Sequence, residues 1–315
     1  MTFQPARLPD DTDSLPQLPG WVTSGGAETP GIVAFRSGAA LLVLDQLLGD
    51  PGQGVPVRLL ANRLALSAAT ATSRIEGRLA RESDIRDAYH LTPPGEARGP
   101  DGDLLAFWRD AARLRSGGDA AIAALTGPQF ADACAGWLRA AAETARTQGP
   151  LAGCSMAMAA VLEADPRAER VACLLSDVVL ARAMGWKRVL PVTAQRLQGT
   201  RLRDLGAHDE PAALAVQAQL LETLGDTIRL ARTLTARAEA LRAKAPKLRA
   251  KGAEEAVALF LSEDAVAPGA MLSPRIRGTS VRMTDRAARR FCDRLVALGL
   301  ARELTGRATF RLYGL

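Results

Sequence analysis

The chain has 315 residues, 48% of them hydrophobic and 23% charged, which excludes a disordered chain and supplies apolar surface for a sizeable core in one or two domains. The net charge is +6, yet residues 275–315 alone hold ten arginines against three acids, a local excess of seven, so the rest of the chain sums to about −1. A basic character confined to one end suits a polyanion such as DNA, or a solvated basic face.

Aromatic residues make up only 4% of the chain, and alanine and leucine abound, so helix is favoured over sheet. Residues 1–33 carry prolines at 5, 9, 16, 19 and 30 and read as an extended arm. The arm has neither the basic start nor the apolar centre of a signal peptide, and no run approaches 18 uninterrupted apolar residues. The expectation is a soluble, cytoplasmic protein with no membrane partner.

A helical domain is predicted over residues 34–245. Residues 35–48, with Leu41, Leu42, Leu44, Leu47 and Leu48, are apolar nearly all round, which predicts a helix at the centre of a bundle. Further helices are predicted over 56–76, 82–90, 103–115, 128–147, 151–164 and 167–186, punctuated by Gly77, Pro93-Pro94-Gly95, Gly149-Pro150, Asp165-Pro166 and Gly185. Residues 209–245 give the longest helical signal. Leu214, Leu221 and Ile228 recur there at seven-residue spacing, so this helix is either a homodimer seam or a long backbone helix of the bundle. Residues 246–252 form a basic linker, either a phosphate contact or a solvated connector.

Residues 253–315 read as a C-terminal module. Thr284 is placed to cap a helix whose apolar side chains fall at Ala288, Phe291, Leu295 and Leu298, with Gly299 at its end. Two short runs, 300–304 and 308–313, flank Thr305-Gly306-Arg307 and predict a β-hairpin, with Phe310 and Leu312 alternating against Arg311 and Tyr313. A capped basic helix followed by a hairpin is the end of a winged helix-turn-helix. Residues 253–261 can supply its first helix, but Pro268, Gly269, Pro274 and Gly278 interrupt the place of the second. The fold class is therefore mainly α: a multi-helix N-terminal bundle, then a small, atypical winged helix-turn-helix.

Chemistry of other kinds is thin. Cys134, Cys154, Cys173 and Cys292 lie far apart, with no zinc spacing, and read as small core residues. His90 and His208 have no ligand or nucleophile at a useful spacing and read as structural. No phosphate-binding glycine loop or nucleophile elbow occurs. The sequence thus predicts no catalytic residue, cofactor or metal.

Thr72-Ser73-Arg74-Ile75-Glu76-Gly77 resembles the inhibitory-helix motif (S/T)xxxE(G/N) of the Fic family, in which the glutamate pairs with an arginine of the nucleotide site. The HPFx(D/E)GNGR loop that carries that family's catalytic histidine surrounds neither His90 nor His208. A simple ion pair of Glu76 with a nearby arginine is the competing reading. The stretch 283–315 is similar to the recognition helix and wing at the C-terminus of many Fic proteins. Through residues 69–77, 84–91, 245–252 and 283–315, the chain as a whole resembles an uncharacterised bacterial family, the domain-of-unknown-function family 1403. That resemblance implies no activity.

The leading expectation is a DNA-binding regulator, with a helical dimerisation or sensing domain and a C-terminal winged helix. Arg286, Arg289 and Arg290 face away from the predicted apolar stripe, with Arg294 on the flank. Arg307 at the hairpin tip, Arg311 on its return strand and Arg282 ahead of the helix complete the candidate DNA contacts. Asp293 competes for Arg289 or Arg290. The alternatives are a non-catalytic interaction protein, with the module packed on the bundle, and a degenerate Fic-like protein.

Overall fold

Helices dominate the computed structural model, which describes residues 15–23, 29–49, 54–207, 210–248, 250–307 and 309–315. The chain is mainly α, and its named strands form a two-stranded antiparallel sheet near the C-terminus.

The arm is shorter than its prolines suggest. A helical turn, α1 (Gly20–Thr23), precedes α2 (Pro30–Gly49). Leu15 and Val22 are buried, and Arg232 of α11 (Glu210–Lys244) donates to the Leu15 carbonyl at 2.6 Å. The rest of the expected arm, residues 1–14 and 24–28, lies outside the described residues, as does His208.

Composition misplaced α2. It packs on α11 through Val33, Ala40, Leu41, Leu44 and Leu47, but Phe35 is 71% and Leu42 58% exposed, so it lies at the edge of the bundle. Trp21 stacks on Phe35 with ring centroids 5.4 Å apart. By length and composition alone α2 would also suffice to cross a membrane. A count of apolar residues cannot tell a helix enclosed all round from one enclosed on a single face.

The central position belongs to α9 (Glu169–Ala183), whose residues 171–181 are all buried. Against it pack α3 (Val57–Ile75), α7 (Ala131–Gln148) and α8 (Pro150–Ala164), and α4 (Glu82–Leu91), α5 (Gly99–Ala111), α6 (Asp119–Thr126), α10 (Gly199–Gly206) and α11 complete the bundle. The predicted helices 103–115 and 167–186 are reset to α5 and α9, and α6 has no counterpart in the sequence reading. Pro150 opens α8, where its missing N–H costs no helical bond. Gly153 lets α8 close on α7, because a Cβ there would lie 2.6 Å from that of Ala145. The small residues of α3 serve the same end: Ala65 through Ala69 are buried or nearly so, and Thr72 accepts a hydrogen bond from the Trp108 indole of α5 at 3.0 Å.

At 35 residues, α11 is roughly 52 Å long. Its repeating side chains Leu221, Leu224, Ile228, Ala231 and Ala238 are buried within this chain's own bundle.

The C-terminal segment begins with α12 (Ala253–Phe260). In the place of the interrupted second helix the chain makes a five-residue π-helical turn, Pro268–Leu272. α13 (Asp285–Ala297) follows, capped by Thr284, whose hydroxyl accepts from the Ala287 N–H at 3.3 Å. β1 (Arg302–Glu303) pairs with β2 (Tyr313–Gly314), and Tyr313 is also bridged to Val266 on its other side. Gly314 fits because a side chain there would meet the Asp264 carbonyl oxygen at 2.8 Å.

A buried charge cluster joins this segment to the bundle. Arg109 of α5 pairs with both Glu263 and Asp264, and His90 Nε2 of α4 lies 3.2 Å from Asp264 Oδ2. Burial alone would push the Asp264 carboxyl up, but His90 and Arg109 outweigh it and hold it at about 2. Arg86 of α4 donates to the Leu304 carbonyl at 3.0 Å, and Asn62 of α3 to that of Ser262 at 2.6 Å.

Candidate nucleic-acid interface

The basic excess of residues 275–315 is displayed chiefly by α13. Its buried stripe is Ala288, Phe291, Cys292 and Leu295, with Phe291 packed near Phe260 of α12. Leu298, expected at the end of that stripe, is 38% exposed. At about 100° per residue, Arg286, Arg290 and Arg294 follow one another a turn apart along the outer surface, over roughly 12 Å. All three are exposed, and among the described residues none has a carboxylate within ion-pair distance. The row is an uncompensated cationic ridge.

The other predicted contacts are arranged differently. Arg289 is exposed, but it pairs with Asp285 one turn earlier at 2.8 Å rather than with Asp293. Asp293 accepts from the Tyr313 hydroxyl at 3.2 Å and faces Arg311 at 4.0 Å. This flank of α13 is therefore charge-balanced. Arg282 is exposed ahead of the helix, where its backbone bridges that of Arg275.

The hairpin departs most from expectation. The strands predicted over 300–304 and 308–313 shrink to two residues each. The expected alternation fails, because Phe310 and Arg311 are both exposed while Leu312 and Tyr313 are both buried. The cause is local: Phe310 has φ 55°, which breaks the extended course. The tip folds back over α4 instead of projecting. Arg307 pairs with Asp87 at 3.2 Å, and the Arg311 side chain donates to the Arg307 carbonyl at 3.0 Å.

Glu76, the conspicuous residue of the 72–77 motif, accepts three hydrogen bonds from Arg170 of α9, at 2.6 and 2.9 Å on one oxygen and 2.8 Å on the other, and one from Arg78 at 2.7 Å. Arg170 also lies over the Phe107 ring at 5.3 Å, so the cluster ties the end of α3 to α5 and α9. His90 is enclosed and committed to Asp264. The charge cluster around Arg109 was missed entirely, since its partners lie 154 and 155 residues away in sequence.

A family model described as "Protein of unknown function (DUF1403)" matches residues 6–315. The chain belongs to the DUF1403 family. No curated protein matches it. The match takes in the bundle and the basic segment together, so the DUF1403 relationship includes α13 as well as the clamp around Arg109.

Proposed function

We propose that this DUF1403 protein binds double-stranded DNA through α13 and acts as a transcriptional regulator. The observation that carries the reading is the row of Arg286, Arg290 and Arg294, exposed and, among the described residues, without acidic partners on a helix otherwise anchored in the core. Isolated arginines in water are unremarkable, but three in register along a rigid helix match the repeated charge of a nucleic-acid backbone. The surroundings support the same reading. α12, the π-turn and α13 stand in the order of a helix-turn-helix, and Val266, Tyr313 and Glu303 lie side by side as do the three strands of a winged helix. In this reading the folded-back tip makes no wing contact, and Arg307 serves the α4 interface.

Fluorescence anisotropy with labelled duplex DNA over a salt series tests the reading. Log K falls with log salt at about −0.9 per phosphate neutralised, so loss of all three arginines flattens the slope by up to about 2.7. Equal slopes for the parent chain and Arg286→Ala/Arg290→Ala/Arg294→Ala remove α13 as the interface.

One observation favours a second reading, a protein-interaction module. The buried pairs of Arg109 hold residues 263–264 on the bundle, as a packing domain would require. In that case the parent chain binds duplex DNA no better than a control protein of equal net charge.

A further inference from the structure

Between the end of α4, the π-turn, the flank of α13 and the folded-back tip lies a cleft of about 730 Å³. That is within the range of roughly 300–1,000 Å³ usual for small-molecule sites. Two features set it apart from a crease between packed elements.

The first is its charge. Asp285, Arg289 and Asp293 line it from α13, and Arg311 from the tip. The four groups sum to zero: Asp285 and Arg289 pair at 2.8 Å across an exposed face, whereas Asp293 and Arg311 only approach each other. Arg311 stands 4.0 Å from Asp293, beyond hydrogen-bond reach, and all four side chains remain about half exposed or more. A lone carboxylate entering here meets two aspartates, and a lone amine meets two arginines. A head group carrying both charges complements both kinds of side chain.

The second is its apolar wall. Pro93, Pro94 and Pro268 line the cleft beside the aromatic rings of Tyr313 and Phe310. Phe310 is 73% exposed, on a backbone at φ 55° that residues other than glycine seldom adopt. Strained positions of this kind cluster at active sites, ligand clamps and switch regions.

We infer that the cleft binds a small zwitterion with an apolar body, of the kind an aromatic or branched α-amino acid presents. Its carboxylate meets Arg289 and Arg311, its ammonium meets Asp285 and Asp293, and its side chain lies between the prolines and the Phe310 ring. The cleft touches the flank of α13, while Arg286, Arg290 and Arg294 run along its outer row. An effect of the ligand on DNA affinity rests on the proposed DNA reading; ligand binding itself does not.

Calorimetry of the full chain without DNA keeps the two apart. L-phenylalanine, L-tryptophan and L-leucine are titrated alongside 3-phenylpropionate and 2-phenylethylamine, which each lack one charge of the head group. The expected result is saturable 1:1 binding of at least one amino acid. The singly charged probes bind at least about tenfold more weakly than L-phenylalanine or not at all. Phe310→Ala and Arg311→Gln each weaken amino-acid binding by about tenfold or more, while Phe35→Ala, at an exposed aromatic outside the cleft, leaves it unchanged. No saturable heat from any of the three amino acids up to about 10 mM overturns the inference. So does binding that Phe310→Ala and Arg311→Gln both leave intact, or equal affinity for the singly charged probes.

Discussion

Arg109→Met should cost this protein a substantial part of its stability, and the charge cluster says how much. Arg109 is 2% exposed, and its guanidinium faces Asp264, whose side chain is fully buried, and Glu263, which is nearly so. Methionine keeps much of the packing volume but leaves two carboxylates enclosed without their principal cation. Removing one partner of a buried ion pair costs about 3–5 kcal/mol, whereas neutralising the whole set costs far less. The variant Arg109→Met/Glu263→Gln/Asp264→Asn should therefore recover at least about half of what the single change loses. Acid should reproduce part of the effect. The folded carboxyl of Asp264 is held at about 2, below its usual 3.8. A depressed folded value means a stabilisation present above pH 3.8 and lost as pH falls through 2, on the order of 2 kcal/mol. Urea denaturation at pH 7, repeated down to pH 2, reads both quantities. A loss below about 1 kcal/mol for Arg109→Met, or a triple variant less stable than the single one, would refute the claim that this cluster clamps the C-terminal segment to the bundle.

Other consequences follow from single positions. Asp177 of α9 is fully enclosed, and burial pushes its carboxyl up to about 8, although the Val192 and Thr193 N–H groups donate to Oδ1 at 2.9 and 2.8 Å. The folded state then holds a proton that the unfolded chain releases near pH 4, so stability declines as pH rises from 4 to 8. The decline from this group is on the order of 2–3 kcal/mol between pH 5 and 7, and Asp177→Asn should abolish it in denaturation curves at those two pH values. Gly314→Ala should cost about 1–3 kcal/mol in the same assay, because its new methyl must displace the Asp264 carbonyl. Burial pushes the Cys154 and Cys292 thiols up to about 12, so both should resist a thiol reagent at pH 8 in the native chain and react once it is unfolded in urea.

Much of the helical architecture is legible in the sequence because its punctuation is local. Gly149-Pro150 and Asp165-Pro166 stop and start helices through the backbone alone, and Thr284 caps α13 as its position predicts. What escapes is whatever depends on residues distant in sequence. The enclosed helix is α9 rather than α2, since enclosure depends on neighbours that composition does not name. The hairpin tip turns inward because Asp87, on another helix, receives Arg307, and Phe310 leaves the extended course. Of the seven arginines proposed as one basic surface, Arg282, Arg286, Arg290 and Arg294 have no acidic partner among the described residues, and Arg289, Arg307 and Arg311 face carboxylates. The alternation of those roles along α13 follows from helical spacing, but the carboxylate that meets Arg307 could not be read from its own segment.

The central claim is that the cationic row of α13 grips DNA. It is tested most directly by selecting genomic fragments on the purified full-length chain beside Arg286→Ala/Arg290→Ala/Arg294→Ala. The account predicts that the parent chain enriches a discrete set of fragments and that the variant, equally folded by circular dichroism, enriches none above a bead control. Equal enrichment by the two proteins, or none by the parent chain, would contradict it.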